Sequence, residues 1–205
     1  MQVNTFRLNK MMKKIAVVFI TATIFVVLAG CGEEKQDVTS IKIDRRGKIT
    51  NVIYEDFPED EYSLDEFESI TTSRVEAFNN ESLAEKITID TIEEEDSKIK
   101  VVMKYDSPSD YKKFNNTVLF YGTVKEAEEA GYTLTDKLVD REGNASDKDL
   151  LKKYKNKHVI IIEEKTDIIV PYKIDYISRG ATFTSKREAD LSGCRTQLVQ
   201  LLLSK

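Results

Sequence analysis

The sequence of 205 residues carries 36 acidic against 31 basic residues, one histidine, two cysteines and no tryptophan, for a net charge of −5. That balance argues against a nucleic-acid partner, whose phosphates need clustered Lys and Arg, and a single histidine cannot build a two-histidine zinc site. Two cysteines close at most one disulfide, so the core and not a cystine framework has to hold the fold.

Arg7, Lys10, Lys13 and Lys14 precede an uncharged run of 18 residues, 15–32. A basic start, a short apolar stretch and small residues before a cut are the features of a secretory signal. Eighteen residues fall slightly short of the roughly 20 that span a bilayer comfortably, so an uncleaved anchor is the weaker alternative. Leu28-Ala29-Gly30-Cys31 resembles the lipobox of a bacterial lipoprotein precursor. The resemblance implies a signal peptide over residues 1–30, cleavage between Gly30 and Cys31, and acyl chains on the Cys31 thiol. It places the domain on the extracytoplasmic face of the cell membrane, whether translation starts at Met1, Met11 or Met12. At about 0.8 kcal/mol per buried methylene, two long acyl chains hold with on the order of 20 kcal/mol gross. Cleavage removes four basic residues and no acid, which leaves 27 basic against 36 acidic residues and a net charge of −9. It also leaves Cys194 without a disulfide partner if Cys31 is acylated, and the surroundings of Cys194 make it a small turn residue rather than a reactive thiol.

Residues 31–40 are polar and aperiodic, a tether reaching roughly 30 Å at no more than ~3.5 Å per residue. Ile41 and Ile43 alternate with Lys42 and Asp44, Arg45-Arg46-Gly47-Lys48 turns the chain, and residues 49–54 answer as the second arm of a hairpin. A charged loop over 56–61 contains Pro58. Ser63 and Glu66 make a capping box for a helix whose apolar stripe reads Leu64, Phe67, Ile70, Val75 and Phe78. The helix is expected to fail near Asn79 and Asn80, whose side chains compete with the helical backbone. A second hairpin joins residues 87–91 to 98–105 through the acidic turn 93–96. In its return arm Ile99, Val101, Met103 and Tyr105 face one way and the lysines the other. Four adjacent carboxylates resemble calcium ligands, but consecutive turn residues diverge, and a solvated run opposite the lysines is the preferred reading.

Ser107 and Pro108 start a short helix. A strand over 117–121 leads through Gly122 into a helix capped by Thr123 and Glu126 and closed by Gly131. One glycine is too few for a phosphate loop. A weak strand over 134–139 and a loop over 140–149, out of register for calcium, lead to a short helix capped by Ser146. His158 opens the continuous apolar strand 158–163, suited to burial on both faces. A strand over 168–177 sets Val170, Tyr172, Ile174 and Tyr176 on one face and Pro171, Lys173 and Asp175 on the other, with Pro171 marking an edge or a bulge. A turn at Arg179-Gly180 leads into 181–185, and residues 197–204 read as a closing strand in preference to a short helix. This pattern predicts one α+β domain over 41–205: a mostly antiparallel, twisted sheet with helices packed on one face.

No catalytic residue, metal site or cofactor motif stands out. A Cys194 and His158 nucleophile and base would need the fold to unite them, and His158 otherwise reads as a strand-boundary residue. Residues 120–127, FYGTVKEA, and the order of elements around them resemble small uncharacterised lipoproteins of Gram-positive bacteria, a likeness that carries no activity and no site residues. The expected function is therefore a non-enzymatic binding module whose partners are the membrane, through Cys31, and an envelope protein, peptide or polymer, met by a sheet edge or a tyrosine face. The alternative is an envelope hydrolase with a site assembled only in the fold. A module should show an exposed aromatic or apolar surface, and a hydrolase a cleft of convergent carboxylates.

Overall fold

A computed structural model of the chain describes residues 38–57, 63–95, 97–135 and 137–205; Gly30, Cys31 and the rest of the expected signal and lipobox lie outside them. The first hairpin forms as its alternation predicts. β1 (Ser40–Ile43) pairs antiparallel with β2 (Ile49–Asp56), Ile43 opposite Ile49. Asp44 organises the turn, its carboxylate accepting from the N–H groups of Arg46 at 2.7 Å and Lys48 at 2.9 Å. Gly47 takes φ +82° there, a left-handed conformation that costs roughly 1–2 kcal/mol with a Cβ.

Helix α1 (Leu64–Ser82) begins at the expected cap, Ser63 Oγ accepting from the Glu66 N–H at 3.2 Å. Two of its features correct the sequence pattern. Its inward side chains are Leu64, Phe67, Thr71, Val75 and Phe78, while Ile70 is 56 % exposed. At 3.6 residues per turn Ile70 sits roughly 100° away from the middle of that stripe. The helix also runs through Asn79 and Asn80 to a left-handed end at Leu83. Asn79 does not compete with its own helix, because its amide serves the next strand: Nδ2 donates to Ile87 O at 2.8 Å, and Oδ1 accepts from the N–H groups of Lys86 and Ile87.

β3 (Ile87–Glu95) and β4 (Lys98–Tyr105) form the second hairpin. Glu93 and Glu95 extend the strand instead of making the turn, and Lys100 meets them at 2.7 and 3.6 Å. Ile99, Val101, Met103 and Tyr105 are buried, as the alternation requires. Helix α2 (Pro108–Asn115) starts from Ser107 with Pro108 in its first turn. β5 (Leu119–Thr123) then passes into α3 (Val124–Glu129) through the Thr123–Glu126 capping box. Gly131 closes α3 with its N–H on Glu128 O while Tyr132 reaches back to Ala127 O, the paired bonds of a Schellman end.

The weak strand contracts to β6 (Leu138–Val139). Ser146 is not a helix cap: it binds back onto β6, its N–H donating to Leu138 O and its Oγ accepting from the Leu138 N–H. Helix α4 (Leu150–Lys153) starts at Asp149 with no side-chain cap. β7 (His158–Ile162), β8 (Asp167–Ile169), β9 (Ile174–Ser178), β10 (Thr182–Ser185), β11 (Glu188–Asp190) and β12 (Val199–Leu203) complete the order.

These strands divide between two sheets, β10-β11-β8-β1-β2-β4-β3 and β5-β7-β12-β9-β6. Among the described residues every strand pair is antiparallel except β1 with β8. The α+β class and the mostly antiparallel pairing expected from the sequence are therefore present. The single strand expected over 168–177 is two: β8 belongs to one sheet and β9 to the other, and the chain crosses between them at Pro171, which has no N–H to offer a ladder. One core fills the space beneath both sheets and includes Ile43, Met103, Ile160, Ile174 and Leu201. A second, smaller core packs Val124, Ala127 and Leu150 of the helices on Val159, Ile161 and Leu202. β12 lies between β7 and β9 and contributes to both, all five residues buried. Its four aliphatic side chains contribute roughly 6–12 kcal/mol gross. Gln200, the polar member, accepts from the Thr135 N–H at 2.9 Å and donates to Thr133 O at 3.1 Å. Among the described residues no helix is long and apolar enough to cross a membrane.

Candidate functional site

The residues weighed from sequence do not converge. Cys194 is 7 % exposed, and burial pushes its thiol up from the ordinary value. It follows a close crossing of two glycines, where a Cβ on Gly180 would lie 2.5 Å from Gly193 O. His158 instead joins aromatic rings. The acidic run is extended along β3 against lysines, and Asp140 closes its loop on itself by accepting from the N–H groups of Glu142 and Asn144. Among the described residues no three of His, Cys, Asp and Glu are grouped to hold a metal ion. The strand, glycine and helix at 119–129 is closed to phosphate for a local reason. Glu126 already takes the Thr123 N–H at 2.7 Å and the Thr123 hydroxyl at 2.8 Å, and these bonds hold its carboxyl below the usual range.

What the fold does bring together lies on either side of the β1–β2 turn. On one side, cross-strand register sets Lys42 opposite Thr50, Thr50 opposite Lys104, and Lys104 opposite Thr88. The next rung, Ile43, Ile49, Tyr105 and Ile87, points into the core, so the Lys and Thr rung lines the outer face. With Asp44, Lys48, Lys86 and Asp106 it borders a hollow of about 300 Å³. Asp106 lies 2.8 Å from Lys48 and 3.6 Å from Lys86, and the Lys48 hydrogen bond keeps its carboxyl low.

On the other side of the turn, three rings from separate segments meet. His158 stacks on Tyr121 with centroids 5.0 Å apart and tilts toward Tyr172 at 5.3 Å. Tyr121 comes from β5 and Tyr172 from the crossing between sheets, and the Tyr121 ring lies beside Gly47 of the β1–β2 turn. His158 Nδ1 lies 2.7 Å from the main-chain oxygen of Lys205. An oxygen of that kind accepts, so Nδ1 carries the hydrogen of that bond. Arg45 and Lys205 reach the Tyr172 ring, at 6.0 and 5.6 Å from its centre. Burial, and then the adjoining Tyr172, push the Tyr121 phenol up, and among the described residues its buried hydroxyl has no hydrogen-bond partner of good geometry.

A separate polar group is enclosed in the larger core. Tyr111, 1 % exposed, donates from its hydroxyl to Glu164 at 2.6 Å, and Asn51 donates to that hydroxyl at 3.4 Å. Burial raises the Glu164 carboxyl above its ordinary value, against the lowering effect of the Tyr111 hydrogen bond. The periodicity of β2 and α2 marks Asn51 and Tyr111 as inward positions but says nothing of Glu164, and Arg45, Tyr121, His158, Tyr172 and Lys205 share no sequence spacing at all. Comparison of the chain with protein-family models, curated proteins and solved structures finds no match.

Proposed function

We propose that the chain is a membrane-anchored extracytoplasmic lipoprotein, held by acyl chains on Cys31, whose domain is a non-enzymatic binding module at the cell envelope. Lys13, Lys14, the apolar run and Leu28-Ala29-Gly30-Cys31 support the location. The observation that carries the binding role is the gathering of Tyr121, His158 and Tyr172 with Arg45 and Lys205 beside the β1–β2 turn. Rings with cations over them give recognition without bond-making chemistry. The hydrolase alternative asks for convergent carboxylates at an open cleft, whereas Glu164, the carboxyl raised by burial, is engaged by a core tyrosine.

The full chain expressed in a bacterial host should appear in the membrane fraction with an N-terminus at lipid-modified Cys31, and Cys31→Ala should abolish incorporation of a clickable fatty acid. An intact N-terminus with an unmodified Cys31 would overturn the anchor. Detergent-purified full chain should co-sediment with isolated envelopes and release no soluble fragments. Release of fragments would instead support the hydrolase.

A further inference from the structure

We infer that the β1–β2 turn and its two flanks form a binding track for a linear polyanion outside the cell, a deepening that rests on the binding-module reading above. The turn carries Arg45 and Arg46 in succession, with Lys48 two residues on. On one flank Lys42 and Lys104 stand on the same rung of the outer face; on the other, Arg45 and Lys205 share the Tyr172 ring. Cations therefore continue across the turn from one sheet to the end of the other. Their states differ in a useful way. Lys104 and Lys48 are engaged by Asp90 and Asp106, whereas Lys42, Arg45 and Lys205 have no ion pair among the described residues.

The arrangement selects a chain of charges over a single anion. The cations are spread along the surface: they project from strand face, turn and the segment after β12, and Arg45, Lys42 and Lys48 are exposed. The hollow bordered by Lys42 and Lys104 also holds Asp44 and Asp106, the latter engaging Lys48 and Lys86. A lone phosphate would meet one or two of them in water, where each exposed pair is weak. A polymer with repeated phosphodiester or carboxylate groups meets several at once, and each further contact is intramolecular. The aromatic rings restrain Arg45 and Lys205 by cation–π contact, which lessens the side-chain freedom lost on binding. The domain's excess of acids repels a polyanion elsewhere, so the track provides orientation as well as affinity.

The test uses the detergent-purified full chain with long-chain inorganic polyphosphate as probe. Orthophosphate serves as the monomer arm, and vesicles of equal parts phosphatidylglycerol and phosphatidylcholine as the membrane arm. Polyphosphate should bind, orthophosphate at equal phosphorus should not compete measurably, and affinity should fall steeply as salt rises. Lys42→Ala/Arg45→Ala/Lys205→Ala should lose roughly five-fold or more in affinity, while Lys148→Ala/Lys152→Ala, away from the track, should retain it. Both variants should melt like wild type, since every substituted side chain is at the surface, and thermal melting checks that they fold. Equal binding by the triple variant, binding of the vesicles alone, or no polyphosphate binding by wild type would overturn the track. Fatty-acid labelling of Cys31 in the same preparation is scored separately, so a failed anchor and a failed track give different results.

Discussion

Replacing Tyr111 by Phe removes one oxygen from the core and leaves the ring, with its edge-to-face contact on Tyr105 at 4.8 Å, in place. The hydroxyl donates to Glu164 at 2.6 Å and receives the longer bond from Asn51. A hydrogen bond to a charged acceptor contributes about 1.5–3 kcal/mol, and one between neutral groups about 0.5–1.5. The variant should therefore lose about 2 kcal/mol at pH 7, because the charged form of Glu164 is left with less to hold it. With a urea m-value of about 2 kcal/mol per M this is a midpoint shift of about 1 M. The pH dependence has a definite sign. Glu164 is raised above its ordinary value of 4.5, so the fold favours its protonated form. The stability gained from that preference is complete below the ordinary value and is lost as pH rises through the folded one. Without Tyr111's hydroxyl the folded value rises further, so the penalty should shrink to about 1 kcal/mol near pH 4, where the bond is neutral in wild type too. Comparing wild type, Tyr111→Phe, Glu164→Gln and the double variant by urea unfolding at both pH values cancels the other carboxylates. An unchanged midpoint at pH 7, an equal loss at both pH values, or strictly additive single variants would refute the coupling.

Asn79→Ala should cost about 2 kcal/mol in the same unfolding assay, because it leaves two N–H groups and a carbonyl at the start of β3 without their amide partner; a loss below about 0.5 kcal/mol would mean that water replaces it fully. Tyr121→Phe should be neutral or stabilising by up to about 1 kcal/mol, since it deletes a buried hydroxyl that has no hydrogen-bond partner of good geometry among the described residues. A clear destabilisation there would reveal a bond that the geometry does not contain.

Local chemistry was legible wherever one segment contained its own explanation. Ile99, Val101, Met103 and Tyr105 alternate with lysines and are the buried face of β4. Thr123 with Glu126 and then Gly131 bracket α3, and the apolar run after His158 is buried on both faces. Partition between sheets was not legible. From Ile168 to Ile177 the alternation continues across Pro171 as if one strand ran through, because period two records burial and not which sheet supplies it. Asn79 shows the same limit at a single residue: an amide competes with its own helix only when no other backbone needs it. The candidate surface was the least legible part, since His158 read correctly as a strand start, but its stacking partners arrive from β5 and from the crossing between sheets.

The parallel pairing of β1 with β8 bears on how the domain responds to pulling. Any tension arriving from residues before Ser40 enters through β1, which is not an edge strand: it lies between β2 and β8, with ladders on both sides. Just ahead of it, Thr39 exchanges bonds with Tyr54 and its carbonyl accepts from the Thr166 hydroxyl. A strand held on both flanks cannot be peeled away one bond at a time, as a free edge can. Load along its axis is shared by both ladders and by Thr39, so these bonds have to fail together. Such a load would therefore fall first on a strand of only four residues.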